Sequence, residues 1–99
     1  MLQSIGAHLD DLLLFIYVVD AGGFSAAERQ TGIAKSRLSR RVATLERALG
    51  VRLLHRSGQV FGLTPVGEAV LAHAREAAAH VDKIGALTRS AVAEPSGVI

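Results

Sequence analysis

The sequence has 99 residues, 49% of them hydrophobic and 20% charged, which suffices for one domain with its own core and leaves little room for a large catalytic cleft. It holds no cysteine, so disulfides and thiolate metal sites are excluded. Its longest apolar run, residues 12 to 19, is far short of the about 20 residues of a membrane span, and a soluble, cytoplasmic protein is expected. The net charge of +2 hides a separation: residues 25 to 56 carry eight bases against two acids, or +6, and the remainder carries three against seven, or −4. A basic block between neutral or acidic flanks suits a polyanionic partner.

The run DDLLLFIYVVDA, residues 10 to 21, predicts a first helix with Asp10 or its neighbour at the start and Gly22-Gly23 at the end. At about 100° per residue, Leu12, Phe15, Ile16 and Val19 share one face, while Leu13, Leu14, Tyr17 and Val18 make the opposite face equally apolar. A helix apolar all round has to be covered on both sides. A chain this short buries too small a share of its surface to do so alone. The second face is therefore expected against another subunit, the alternative being a helix central to a compact bundle.

Ser25 and Glu28 form an S-x-x-E capping box with Phe24 before it, so a second helix is expected from Ser25 to about Thr31, where Gly32 breaks it and Ile33 turns inward. A third helix, KSRLSRRVATLERAL, runs from Lys35 to a stop at Gly50. Two helices joined by a short glycine turn make a helix-turn-helix candidate. Residues 51 to 56 and 60 to 63 are two β-prone runs around Ser57-Gly58-Gln59, a small hairpin or wing.

Thr64 then caps a long helix with Pro65 at its first position and Glu68 in its first turn. It extends to about Val92, about 42 Å at about 1.5 Å per residue, longer than the body it belongs to. Val66, Val70, Ala77, Val81, Ile84 and Ala91 fall on one stripe of it, which a symmetry mate would cover. Residues 94 to 97 read as a hinge, and Val98 and Ile99 as the opening of a strand, so the chain is expected to be cut there.

On the third helix, Leu38, Val42, Leu45 and Leu49 form a narrow apolar stripe. Ser36, Arg40, Ala43 and Arg47 lie on the far side, flanked by Arg37, Arg41 and Thr44 on one edge and Ser39 on the other. A cationic ridge with small groups between the bases has the chemistry of a major-groove reader, because arginine can pair in bidentate fashion with guanine and serine with several base edges. Lys35, Ser36, Arg37, Ser39 and Arg40, near the helix start, are the base-edge candidates. Phosphate candidates are Arg41 and Arg47, each of which could instead form an intramolecular ion pair, together with Arg52 and Arg56 beside the wing. Ser25 and Thr64 are caps first and phosphate contacts second.

These residues carry a resemblance. The stretch FIYVVDAGGFSAAERQTGIAKSRLSRRVATLERALGVRLLHR, followed by LTPVGEAVL, resembles the N-terminal DNA-binding domain of LysR-type transcriptional regulators over nearly the whole chain. The resemblance implies a mainly α fold: a winged helix-turn-helix over residues 1 to 64, a dimerising linker helix over 65 to 93, and a hinge over 94 to 99 to an absent effector-binding domain, the only place for a small-molecule effector. It implies sequence-specific binding of an operator, an inverted repeat of duplex DNA, by a homodimer of a bacterial transcription regulator. Leu13, Leu14, Tyr17, Val18, Val66, Val70, Ala77, Val81 and Ile84 would line the dimer interface. The sequence departs from the common pattern at Arg37, where a small residue is usual and which could change base preference. The wing SGQVFG also lacks a basic tip, which puts minor-groove contact in doubt.

No catalytic residues, cofactor or metal are expected. The chain has no G-x-S-x-G motif and no phosphate-binding glycine loop, and His73, Glu76 and His80 are spaced too widely along the long helix to share one ion without a partner chain. The rival to DNA binding is a helical module that docks on another regulator through its apolar faces.

Overall fold

In the computed structural model, which describes residues 5 to 55 and 60 to 93, four helices follow one another: α1 Leu9–Ala21, α2 Phe24–Thr31, α3 Lys35–Leu49 and α4 Pro65–Ala93. The wing tip with Arg56 and the hinge from residue 94 lie outside the described residues.

α1 has His8 rather than Asp10 at its N-cap, and Asp10 and Asp11 stand in its first turn, where negative charge is stabilised by the positive end of the helix dipole. It crosses α2, α3 and the first half of α4 and supplies Phe15 and Val18 to the core. There they meet Ala27 of α2, Leu38, Val42 and Leu45 of α3, and Leu53 and Leu54 of the following loop. The stripe expected on α3 is thus the buried one, with Leu49 half-buried at its end. Each large side chain buried this way contributes about 1.5–3 kcal/mol.

α2 starts one residue before the expected cap. The carbonyl of Gly23 accepts the Ala27 N–H at 3.0 Å from a backbone with φ of 155°, which a side chain at that position would oppose. Phe24 thereby becomes the first helical residue, its ring edge-on to Phe61 at a centroid distance of 6.3 Å. Ser25 is exposed within the first turn and makes no cap, a correction to the capping-box expectation. The turn into α3 is closed by Thr31, whose hydroxyl donates to the Ala27 carbonyl at 2.8 Å and accepts the Ile33 N–H at 3.1 Å.

Of the expected hairpin, whose turn lies outside the described residues, the base is present as an antiparallel bridge between Leu54 and Leu63, with the His55 N–H donating to the Gly62 carbonyl at 2.9 Å. Side chains also hold the backbone around this bridge. The buried Glu46 carboxylate accepts the N–H of Leu53 at 2.7 Å and of Leu54 at 3.2 Å, and the Thr64 hydroxyl donates to the Arg52 carbonyl at 2.6 Å.

That same hydroxyl accepts the Gly67 N–H at 2.9 Å, so Thr64 caps α4 as its sequence position predicts. Gly67 lies against the backbone of Leu53, and this is how α4 is seated on the loop. Further along, Val70, Leu71 and Ala74 pack on the body, and Arg75 pairs through both terminal nitrogens with the carboxylate of Asp20. Past that point α4 leaves the body. Gly85 does not interrupt it, and Val81, Ile84, Leu87 and Val92 are exposed.

Burial within the chain removes one residue, Val18, from those expected at a dimer interface. Val18 is 0% exposed, hence unavailable to a partner, and Leu14 and Val70 are half-buried against the chain's own core. The core takes more of α1 than one face, because Leu12, Leu14 and Val19 all pack at its edges. What remains uncovered is a narrower stripe of Leu9, Leu13 and Tyr17, four residues apart, facing Ala77, Ala78 and Val81 across an apolar groove.

Candidate nucleic-acid interface

The outward side of α3 is built by its inward side: once Leu38, Val42 and Leu45 are fixed in the core, the helix period turns Ser36 and Arg40 away from the body. Lys35, Ser36, Arg37 and Arg40 are exposed, and Ser39 is half-buried. Among the described residues none of the four exposed side chains has a hydrogen-bond or ion-pair partner. Unpaired bases keep their field toward solvent.

Arg41 and Arg47 differ. Arg41 is turned toward α1, where Nε donates to Asp11 Oδ1 at 2.8 Å and Nη2 to Oδ2 at 2.9 Å, the bidentate arrangement that suits a guanidinium and a carboxylate. Of the two roles open to it from sequence, the intramolecular pair is the one present. Arg47 remains exposed, with Nη2 donating to the Thr44 hydroxyl at 3.2 Å. It borders an open cleft with Ser39, Ala43, Gly50, Val51 and the exposed Arg52, at the end of α3 next to the wing. Five of the sequence-nominated residues of α3 thus face solvent together with Arg52, and Arg41 does not join them.

Asp11 and Glu46 are the residues that sequence reasoning passed over. Asp11 is 3% exposed and also accepts from or pairs with His8 Nδ1 at 2.9 Å. The Arg41 guanidinium beside Asp11 holds its carboxyl below its ordinary value of 3.8, against the opposing effect of burial. A carboxyl depressed in the folded state adds stability that is complete above the unfolded value and is lost as pH falls through the folded one. Urea denaturation at pH 7 and at pH 3 is therefore expected to show an acid loss that Asp11→Asn reduces, with an undiminished loss in that variant counting against the assignment. Arg41→Ala is expected to lower the melting temperature more than Arg37→Ala or Arg40→Ala, since it strands a buried carboxylate.

His73 Nδ1 lies 3.5 Å from Glu76 Oε1 on the exposed side of α4, and among the described residues no three His, Asp or Glu side chains converge as metal ligands. No helix of the described residues is long and apolar enough to cross a membrane.

Residues 9 to 68, from the start of α1 to the first turn of α4, match the model of the bacterial regulatory helix-turn-helix proteins of the lysR family. The chain belongs to that family. Among LysR-family relatives it is 46% identical over 68 residues to the probable HTH-type transcriptional regulator LtrA of Klebsiella pneumoniae, covering 69% of this chain and 22% of the relative. It is 38% identical over 89 residues to an HTH-type transcriptional repressor of Pseudomonas aeruginosa, covering 90% of this chain and 28% of the relative. The chain thus spans about a quarter of the length of these curated relatives. Its fold superimposes on the BenM DNA-binding domain in complex with catB site 1 DNA with a TM-score of 0.80 at 31% identity, covering 89% of this chain and 94% of that one. For the CbnR DNA-binding domain in complex with DNA the TM-score is 0.75 at 33% identity, with 85% and 97% covered. The mainly helical winged helix-turn-helix architecture agrees with both.

Proposed function

We propose that this chain is the DNA-binding part of a LysR-type regulator, binding an inverted-repeat operator in duplex DNA as a homodimer, with α3 in the major groove. The observation that carries the reading is the solvent-facing, unpaired ridge of Lys35, Ser36, Arg37 and Arg40, on a helix whose other side is locked in the core. Solved relatives of the same fold are complexes with DNA, which supports the same partner here. Lys35, Ser36, Arg37, Ser39 and Arg40 are assigned to base edges. Arg47 and Arg52, with Arg56 and Ser25, are assigned to phosphates on either side, whereas Thr64, whose hydroxyl proton goes to the Arg52 carbonyl, is assigned the cap alone. Arg41 has its Nε and one Nη committed to Asp11 and is left a supporting phosphate role at most.

The dimer would form along the groove of Leu9, Leu13 and Tyr17 and the free half of α4 with Val81 and Ile84, with Val66 and Ala77 on the same helix. Residues 65 to 93 act as the linker, followed by a hinge over 94 to 99. The reading is of a cytoplasmic transcription factor rather than an enzyme.

Selection of duplexes from a random pool is expected to return an inverted repeat, and affinity is expected to fall steeply between about 50 and 200 mM salt. Arg40→Ala is expected to cost about 1–3 kcal/mol and relax preference at one base pair, read by repeating the selection. A flat salt response with no retained duplex would favour docking on another protein through the apolar groove.

A further inference from the structure

The ridge on α3 holds two unengaged arginines in its first turns, and the ion pair on its flank sorts them from the others. Arg37 and Arg41 occupy the same edge of the helix, one turn apart, yet Asp11 takes Arg41 through two hydrogen bonds while Arg37 has no partner among the described residues. Arg47 leans on Thr44 and borders the cleft with Arg52 at the far end of α3. The free guanidinium heads nearest the start of the helix are therefore those of Arg37 and Arg40.

From these positions we infer that Arg37 is a second guanine reader beside Arg40, so that each operator half-site carries two G·C pairs on adjacent or next-adjacent steps. Residues three apart on a helix are separated by about 4.5 Å of rise, against about 3.4 Å per base step, and by about 60° around the axis, which directs both heads into one groove. Guanine presents two acceptors, O6 and N7, to the fixed fork of an arginine. Ser36 and Ser39, small side chains beside the two arginines, leave room for the backbone to come close to the bases. At the other end of α3, Arg47 and Arg52 border one cleft next to the wing, away from Arg37.

The inference rests on the DNA-binding reading above, and one experiment separates the two. The 99-residue chain and its Arg37→Ala, Arg37→Lys and Arg40→Ala variants are each used to select from the same random duplex pool, with helicity of each checked by circular dichroism. The expected result is an inverted repeat with two G·C positions per half-site. Arg40→Ala erases one. Both Arg37 variants weaken the other, with about a ten- to hundredfold loss of discrimination at that position alone. Lysine keeps the charge but not the fork, so an Arg37→Lys profile indistinguishable from wild type, with Arg37→Ala weakening all sequences evenly, would show a phosphate contact and overturn the inference while leaving the DNA-binding reading intact. Retention of no duplex by the wild-type chain would overturn that reading and the inference with it.

Discussion

Replacing Gly67 by alanine is expected to destabilise the domain by about 3 kcal/mol or more, an overpacking cost at the upper end of its usual range. On an exposed helix the change would be favourable by up to about 1 kcal/mol. At this site a Cβ would overlap the carbonyl oxygen of Leu53 and stand 2.9 Å from its carbonyl carbon. Leu53 has no freedom to retreat. Its N–H is held by Glu46 at 2.7 Å, and its carbonyl accepts the Thr64 N–H at 3.0 Å. Either α4 lifts off the loop, or the Glu46 contacts break and leave buried donors unpaired. At about 4–8 °C per kcal/mol for a chain of this size, the melting temperature should drop by more than about 10 °C. Gly85→Ala is the control: its nearest neighbour is the flexible end of Arg89 at 3.2 Å, so a small gain is expected there. A Gly67→Ala protein that melts at or above the wild-type temperature would show that α4 is not seated on Leu53.

Ile84→Asp is expected to separate the dimer and, with it, to lower affinity for a two-half-site operator by more than about a hundredfold, since two linked contacts then act singly. Within one chain the change should matter little. Ile84 is 63% exposed, and surface substitutions usually stay within about 0.5 kcal/mol. In a dimer that buries it, a carboxylate without a partner costs several times that. Sedimentation and binding to full and half operators give the two readouts. A monomer with unchanged half-site affinity is the expected outcome, and a persistent dimer would remove the free half of α4 from the interface.

Much of this architecture is legible from local signals. The Leu38, Val42 and Leu45 stripe is buried as its spacing requires, and Thr64 caps α4 with Pro65 behind it. Local signals mislead where a neighbour competes. S-x-x-E marks Ser25 as a cap, but Gly23 supplies the first carbonyl and shifts the start to Phe24. The β-prone runs around the wing meet at the Leu54–Leu63 bridge, and the Glu46 carboxylate takes the Leu53 N–H, a partner that propensity does not announce. The helix period sets Arg41 apart from Arg40 as an ion-pair candidate, but its pairing with Asp11 spans 30 positions and leaves no periodic trace that would name the partner. For α1, hydropathy alone shows that both sides are greasy and is silent on how the core divides them. Val18 is taken inside and Tyr17, its neighbour, is left at 42% exposure.

Thr64 ties the two halves of the molecule through one oxygen, donating to the Arg52 carbonyl and accepting from Gly67. The arm cannot swing about its root without tugging on the strand that leads to the wing. A shift of the first turn of α4 would thus reach Arg52 through this hydroxyl, while the Gly67–Leu53 seat and the Arg75–Asp20 pair hold the same helix to the body.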